Sequence, residues 1–257
     1  MPKTIINRPK VVLVTGGGQR VGAAIVRQLH TKGWIVIIHY RYSAQAAKDL
    51  ALELNQRRAE SAFCLYANLD NIEEIHALPT QILALTGCLD ALVNNASTFY
   101  PTQIGEASLE DWDDLMSSNA RAPFFLSQAL NHLLQETGGS IVNIVDIHAQ
   151  RPFKQHTIYC MAKAALQMMT YALAKELAPK VRVNGVAPGA ILWPEANSAS
   201  AITTDTQQQI LASVPLQRSG CPEDIARTVS FLINDAPYIT GQIIAVDGGR
   251  SHTLGLE

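Results

Sequence analysis

The sequence contains few charged residues and no cluster of the residue types that bind metals or nucleic acids. Only 16% of its 257 residues are charged, and 20 basic against 22 acidic side chains give a formal charge of −2. Without a basic patch, nucleic acid is not an expected partner. The cysteines at 64, 88, 160 and 221 form no CxxC pair, and the seven histidines are dispersed. The sequence therefore predicts neither a disulfide framework nor a metal site.

The sequence also lacks a long hydrophobic run. Its apolar stretches, such as 11–14 and 35–38, are strand-sized, and the segment MPKTIINRPK (1–10) contains no apolar core of an export signal. We therefore expect no membrane partner and a cytoplasmic location. The low share of charge also favours self-association, because part of the surface is then expected to lie against other protein.

Short apolar runs alternate with segments of helical period, which is typical of strands buried on both faces of a parallel sheet by crossover helices. Strands are predicted near 11–15, 34–39, 62–67, 89–94, 140–145, 181–186 and 242–247. Helices are predicted near 20–32, 44–58, 71–86, 108–136, 157–178, 203–213 and 222–235. No linker or repeat divides the chain, so we expect one α/β domain over 1–257.

A glycine-rich turn follows the first predicted strand in the segment VVLVTGGGQRVG (11–22). Glycines allow a tight turn and close approach of a pyrophosphate, which then faces free N–H groups at the start of a helix. The alternative is an ordinary structural turn. Because the turn lies between a strand and a helix, it predicts a dinucleotide site in a doubly wound, Rossmann-type sheet.

The second predicted strand ends in HYRYS (39–43), without the acidic residue that usually accepts a hydrogen bond from the ribose of NAD. Instead, Arg41, Arg20, His39 and Ser43 offer donors for a 2′-phosphate. The sequence therefore favours NADPH as the cofactor. In the alternative interpretation, Arg41 and Tyr42 are solvated residues at a strand end.

Further polar residues follow the later strands in a fixed order. They are Asn94-Asn95-Ala96-Ser97, Asn119, Asp146, Tyr159 with Lys163 four residues on, and Pro188-Gly189. All but Asn119 fall near the carboxyl ends of strands or just beyond, the edge at which open α/β sheets bind ligands. Together with the TGxxxxxG pattern at 15–22, this ordered set resembles the short-chain dehydrogenase/reductase family over nearly the whole chain.

Tyr159 and Lys163 lie on one face of a predicted helix. A phenol with a pKa near 10 exchanges protons poorly at neutral pH until a neighbouring cation favours its phenolate, and Lys163 is the expected cation. The resemblance implies that Tyr159 donates a proton, that Lys163 also binds the nicotinamide ribose, and that Asn119 supports a water relay. The alternative is a surface pair on a helix.

Asp146 stands where most members of the family carry a serine. An ionised carboxylate only accepts hydrogen bonds and would repel a developing oxyanion, so an ordinary ketone is a poor substrate and a heterocycle with N–H donors suits the site better. With IHYRYS (38–43), NNASTFYP (94–101) and NIVDIHAQRPFKQHTIYCMAKAAL (143–166), the chain resembles the pteridine reductases in particular. This implies that hydride from NADPH converts a 7,8-dihydropterin into its tetrahydro form.

The same resemblance implies roles for individual residues. Catalysis would rest on Asp146, Tyr159, Lys163 and Asn119, and the pterin would contact Arg20, Ser97, Phe99, Asp146 and Tyr159. The cofactor would contact Gly16, Arg20, Val21, His39, Tyr40, Arg41, Ser43, Asn68, Leu69, Asn95, Ala96, Ser97, Tyr159, Lys163, Pro188 and Gly189. Phe99 would stack on the pterin, or else serve as a core residue. Asn68-Leu69 replaces the usual Asp-Leu, which puts the adenine contact in doubt.

Two other functions stay open at this point: a carbonyl reductase such as a 3-oxoacyl reductase, and a catalytically silent NADPH sensor. The physiological pterin is also open among dihydrobiopterin, dihydromonapterin and dihydrofolate, as is the reduction of fully oxidised pterins. In the expected substrate lid, 190–204, Trp193 either covers the pterin or packs on its own subunit. The family resemblance further implies a homotetramer assembled through the helices near 108–136 and 157–178.

Overall fold

Seven strands form the centre of the molecule in the computed structural model, which describes residues 8–193 and 202–252. The strands are β1 (Val11–Val14), β2 (Ile35–Tyr40), β3 (Ala62–Tyr66), β4 (Ala91–Asn94), β5 (Ser140–Ile144), β6 (Arg182–Pro188) and β7 (Ile243–Val246). They pair in parallel in the order β3-β2-β1-β4-β5-β6-β7. The predicted strands and the doubly wound, Rossmann-like sheet are therefore confirmed.

Helices connect the strands and cover both faces of the sheet. They are α1 (Arg20–Thr31), α2 (Ala44–Arg57), α3 (Ile72–Thr86), α4 (Leu109–Met116), α5 (Ala122–Thr137), α6 (Thr157–Leu177), α7 (Thr204–Ala212) and α8 (Pro222–Asn234). Six of the seven predicted helices are confirmed within two residues at each end. Within the described ranges, no helix combines the length and the apolar character that a membrane crossing requires.

Residues of β1 alternate between the two halves of the core, as the period of a strand requires. Val12 and Val14 pack in the cluster that includes the inner faces of α1, α2 and α8, whereas Val11 and Leu13 pack with α3 and α5. All four side chains are fully buried. Burial on both faces fixes β1 in place, and with it the glycine turn that follows.

The strand order reverses direction at β1, which pairs with β2 on one side and β4 on the other. The connections that leave these strands diverge to opposite faces of the sheet, and they open a crevice at the carboxyl ends of β1 and β4. The fold therefore places the glycine turn and the segment after β4 on the two sides of one cleft.

The prediction of one continuous helix over 108–136 is wrong. A π-helical segment, Ser117–Arg121, separates α4 from α5. The amide of Asn119 turns inward there and donates from Nδ2 to the carbonyl of Leu115 at 2.9 Å. One inserted residue leaves the apolar period intact on either side, so the hydrophobic pattern does not reveal it. The segment brings Asn119 to the cleft although it follows no strand.

Candidate active site

The glycine turn is tied to the end of β4 by hydrogen bonds through Thr15. The Thr15 hydroxyl accepts from the backbone N–H groups of Asn95 (2.8 Å) and Ala96 (2.9 Å). The Asn95 amide in turn donates from Nδ2 to the carbonyl of Thr15 at 2.8 Å. Asn95 and Ala96 therefore brace the turn, a structural contribution beyond the cofactor contacts expected of them.

The turn has the close packing that a pyrophosphate-binding turn requires. A Cβ atom on Gly22 would lie 2.2 Å from the carbonyl oxygen of Gly16, and Gly16 itself has a φ of +59°. The first turn of α1 contains no acidic residue, and Gln19 makes no capping hydrogen bond from its side chain. N–H groups at this helix start are thus left for an anion, and the residues present fit the phosphates of a dinucleotide.

His39 does not offer a donor to a 2′-phosphate, which corrects the expectation from the sequence. Its Nδ1 accepts from the N–H of Gly16 at 3.2 Å, and its Nε2 donates to the carbonyl of Ala67 at 3.0 Å. Burial lowers the pKa of His39 to about 4, so the ring is neutral at physiological pH. His39 fastens the glycine turn to the end of β3 and leaves no nitrogen for a ligand.

Arg41 lies at the adenosine end of the cleft, but it is paired with a carboxylate of the chain. Its Nη1 donates to Oδ2 of Asp70 at 2.5 Å, and its guanidinium faces the ring of Tyr42 at 4.6 Å from the centroid. Asp70 belongs to the loop between β3 and α3, so it is distant in sequence from the end of β2, although its carboxylate lies beside that strand end in the fold. The cationic site expected from the sequence is therefore partly neutralised from within.

The other residues expected near the adenosine lie around Arg41. Tyr40 packs edge-on against Tyr66 at 5.8 Å between ring centroids. Asn68 uses its N–H to bind Glu74 and its Oδ1 to accept from the N–H of Asp70. Ser43, the residue before α2, makes no capping hydrogen bond from its side chain. Leu69 packs against the core beneath α3.

Asp146, Tyr159 and Lys163 lie together at the carboxyl edge of the sheet. The Tyr159 hydroxyl donates to Oδ2 of Asp146 at 2.8 Å, and Oδ1 of Asp146 accepts from the N–H of His148 at 2.9 Å. Lys163 donates from Nζ to the carbonyl of Ile144 at 3.0 Å, and Nζ lies 5.6 Å from the centroid of the Tyr159 ring. Tyr159 and Lys163 are only 4% and 2% exposed.

The pKa shifts at this site run against the expected phenolate. Burial first, and then the Asp146 carboxylate, raise the pKa of Tyr159 well above 10. Burial also lowers the pKa of Lys163 from 10.5 to about 8, against a smaller opposing effect of Asp146. The influence of the carboxylate on the phenol thus exceeds that of the lysine. In the free protein Tyr159 is a protonated phenol, suited to donate a proton and not to accept one.

Asn119 and Ser97 extend this arrangement across the cleft. Ser97 donates from its hydroxyl to Oδ1 of Asn119 at 2.7 Å, and Asn119 donates from Nδ2 to the carbonyl of Thr98 at 3.0 Å. The Ser97 hydroxyl also lies close enough to Tyr159 to lower the pKa of its phenol, the smallest of the effects on that group. The π-helical segment thereby holds the loop after β4 against the tyrosine.

Phe99 stands beside Tyr159, at the position expected of a substrate-stacking ring. Phe99 stacks on His156, with 4.6 Å between ring centroids and 14° between ring planes. It meets Tyr159 edge-to-face, with 4.8 Å between ring centroids. Phe153 joins the same group, 4.6 Å from His156. Phe99 remains 36% exposed. Phe99 is therefore part of an aromatic wall of the chain itself, and not an isolated ring in the cleft.

The remaining predicted contacts lie at the rim. Arg20, which has a positive φ of 51°, donates from Nη2 to the carbonyl of Trp193 at 3.5 Å and so links the glycine turn to the segment after β6. Trp193 is half-buried and Val21 packs against the core. Gly189 lies so close to Asp247 that a Cβ would meet its Cβ at 2.6 Å. In the expected lid, 194–201 lie outside the described residues.

Sequence reasoning missed four contributors. Thr15 belongs to the TGxxxxxG pattern, but its bonds to the loop after β4 are visible only in the fold. His156 carries no sequence signal, and Asp70 reaches Arg41 only because β2 and β3 are neighbours. Arg250, after β7, is half-buried. Burial lowers the pKa of its guanidinium, and the charges of Asp146 and Asp247 act in the opposite direction. Its turn is held by Arg151, which donates from Nε to the carbonyl of Ser251 at 3.0 Å. No group of three or more potential metal ligands occurs in the described part of the chain.

The parallel sheet, the glycine turn and the buried Tyr159–Lys163 pair define an oxidoreductase of the short-chain dehydrogenase/reductase family, and the chain belongs to that family. A family model described as "Enoyl-(Acyl carrier protein) reductase" matches residues 18–251. The chain is 37% identical to pteridine reductase 1 of Leishmania tarentolae, over 95% of this chain and 96% of that protein.

Relatives of a second kind are similar over the same length. The 3-oxoacyl-(acyl-carrier-protein) reductase of Staphylococcus aureus is 32% identical, over 93% of this chain and 97% of its own. That of Staphylococcus epidermidis is 33% identical, over 93% and 98%. The family is thus shown, while the overall similarity to the two kinds of enzyme is comparable.

Proposed function

We propose that this oxidoreductase is an NADPH-dependent pteridine reductase, which converts a 7,8-dihydropterin into a tetrahydropterin. The observation that carries the proposal is the Asp146 carboxylate at the reaction centre, held by the hydroxyl of Tyr159 at 2.8 Å. A ketone reductase needs a donor there for the developing oxyanion, whereas a carboxylate suits a ring with N–H groups. The similarity to pteridine reductase 1 of Leishmania tarentolae supports the same choice.

The chain's own residues supply binding and proton delivery. When bound, NADPH supplies the hydride that the carbon of the pterin ring receives. Oδ2 of Asp146 accepts from the Tyr159 hydroxyl and Oδ1 accepts from the N–H of His148, and a carboxylate oxygen has a second lone pair that a substrate N–H or a water can use. A water hydrogen-bonded to Asp146 would deliver the proton to N5. For a fully oxidised pterin, Tyr159 would donate the proton to N8, because its raised pKa keeps it a phenol.

Lys163 and the aromatic wall position the reactants. Lys163, buried and bonded to the carbonyl of Ile144, has two further N–H donors for the nicotinamide ribose. We propose that Phe99, 36% exposed beside Tyr159, stacks on the pterin, because offset stacking adds about 0.5–1.5 kcal/mol beyond burial. Asn119 holds Ser97 in the cleft, where the serine hydroxyl is available to the substrate or its water.

Assembly and location are further parts of the proposal, as is a single domain over 1–257. Large apolar side chains are exposed on α4, α5 and α6, at Trp112, Phe124, Met161 and Met168 among others. These faces support a homotetramer built on the helices predicted for that role. We also place the enzyme in the cytoplasm. Light scattering on the purified chain tests the assembly, and a monomeric mass would contradict it.

A substrate panel tests the function. NADPH oxidation would be followed with 7,8-dihydrobiopterin, 7,8-dihydromonapterin, dihydrofolate, oxidised folate and an acetoacetyl thioester. Turnover of a dihydropterin without the thioester is expected, and the relative kcat/KM values rank the physiological substrate. Thioester turnover alone would replace the proposal with a 3-oxoacyl reductase, the alternative that the Staphylococcus relatives favour. NADPH binding without turnover of any substrate would instead indicate a sensor.

A further inference from the structure

Asp70 brings a carboxylate to the end of the cleft at which the adenosine ribose of a dinucleotide binds. Its loop follows β3, and its side chain meets Arg41, which follows the neighbouring β2. The loop is held by its own backbone contacts. The N–H of Asp70 donates to Oδ1 of Asn68 at 3.1 Å, and the carbonyl of Asp70 accepts from Nη2 of Arg121 at 3.3 Å. The carboxylate is therefore placed by the loop and not only by its ion pair.

An arginine and a carboxylate at this point recognise different cofactors. A guanidinium binds the 2′-phosphate of NADPH, whereas a carboxylate accepts a hydrogen bond from the 2′-hydroxyl of NADH. We propose that Arg41 and Asp70 form a two-way ribose site, in which Arg41 binds the 2′-phosphate of NADPH and Asp70 accepts from the 2′-hydroxyl of NADH. The chain would then use both cofactors, with Asp70 setting the ratio. The inference rests on the proposed nicotinamide cofactor and extends it beyond NADPH.

The environment of the pair supports exchange of partners. The side chains of Arg41 and Asp70 are 32% and 28% exposed. A partly exposed ion pair adds little net stability, so a phosphate can replace the carboxylate on Arg41. The ring of Tyr42 faces the guanidinium and keeps it near the site during such an exchange. The carboxylate also repels a 2′-phosphate, so Asp70 weakens NADPH binding while it aids NADH binding.

The test compares the binding of NADPH and NADH to the purified full chain by cofactor fluorescence. In Asp70→Asn, the repulsion and the ionised acceptor are removed, while the backbone contacts of the loop are retained. We expect NADPH to bind about fivefold tighter and NADH about twofold weaker, a tenfold change in the ratio of the two Kd values that corresponds to about 1.4 kcal/mol. The matched control is Glu53→Gln, which removes a carboxylate paired with Arg27 and Arg57 on the surface of α1 and α2. Its ratio should equal that of the wild type.

The outcomes separate this inference from the proposed cofactor. If the wild type binds NADPH but no measurable NADH, or if the ratio in Asp70→Asn equals that of the wild type, the two-way site is refuted and NADPH dependence stands. If the wild type binds neither cofactor, both proposals fail. Should Asp70→Asn not fold, as judged by circular dichroism, Asp70→Ser serves in its place with the same expected direction, and the wild-type measurement decides independently.

Discussion

Replacement of Asp146 by serine is the most direct perturbation of the proposed chemistry. The variant loses the acceptor of the Tyr159 hydroxyl bond and the negative charge that raises the pKa of that phenol. A hydrogen bond to a charged group contributes about 1.5–3 kcal/mol, which corresponds to roughly a tenfold to 150-fold change in rate. We therefore expect kcat/KM for a 7,8-dihydropterin to fall by at least about tenfold. Binding of NADPH should hardly change, because Asp146 lies apart from the glycine turn.

The assay follows NADPH oxidation across a range of dihydropterin concentrations, with NADPH affinity measured separately by fluorescence. Asp146→Asn is the informative companion, because it keeps the shape and one acceptor oxygen but removes the charge. Similar losses in both variants would identify the charge as the effective feature. Unchanged pterin turnover in Asp146→Ser would refute the reasoning, as would a parallel loss of NADPH affinity. Gain of activity on an acetoacetyl thioester in the serine variant would support the distinction drawn between ketone and heterocycle.

Three further perturbations address other parts of the site. In fluorescence titrations, Arg41→Asp should weaken NADPH binding by at least about tenfold and NADH binding far less. Equal losses of affinity for the two cofactors would show that another group binds the 2′-phosphate. Lys163 has its pKa lowered to about 8, so kcat/KM should fall as pH rises through about 8, and Lys163→Arg should move that fall to higher pH. If the fall of kcat/KM stays at the same pH in Lys163→Arg, another group is responsible for it. Thr15→Ala leaves the N–H groups of Asn95 and Ala96 without their acceptor, so the free energy of unfolding measured by urea denaturation should fall by about 2–4 kcal/mol. Thr15→Ser keeps the hydroxyl and should lower it by about 1 kcal/mol or less.

The titration of Lys163 has opposite consequences for folding and for activity. The unfolded chain keeps this proton up to a pKa of about 10.5, while the folded chain releases it near 8. Between these values the unfolded state binds more protons, so the contribution of Lys163 to the free energy of unfolding rises with pH. Activity is expected to fall over the same interval. A general loss of structure would lower both together, so comparison of the two pH profiles separates the role of the lysine from unfolding.

Elements that depend on local pattern were predictable from the sequence, and elements that depend on a neighbouring strand were not. The strands follow from buried apolar runs, and the glycine turn follows from its place between β1 and α1. His39 and Asp70 are different. Their partners, Gly16 and Arg41, follow β1 and β2 respectively, so their roles depend on which strands pair in the sheet. Composition and spacing do not contain that information for one chain.

The balance of charges around Tyr159 shows a second limit of sequence reasoning. The spacing of Tyr159 and Lys163 predicts correctly that they share a helix face, but it does not give the depth of burial or the direction of the phenol. In the fold, the hydroxyl turns to Asp146 and Lys163 turns to a backbone carbonyl. Burial favours the neutral form of both groups. The sign of each pKa shift is therefore a property of packing, although the residues themselves are visible in the sequence.

A hydrogen-bonded carboxylate lies at each end of the cleft, Asp146 at one and Asp70 at the other. At one end Asp146 stands where a serine hydroxyl is usual, and at the other Asp70 pairs with the arginine expected to be free for a phosphate. Each carboxylate accepts a hydrogen bond from a donor on another element of the fold. Tyr159 holds Asp146, and Arg41 holds Asp70. Because the Arg41–Asp70 ion pair is partly exposed, its partners exchange at little cost, whereas Asp146 keeps its bond to the buried Tyr159 hydroxyl and discriminates through its charge. A substrate or cofactor with a donor at the matching position is then preferred over one that brings a further negative charge.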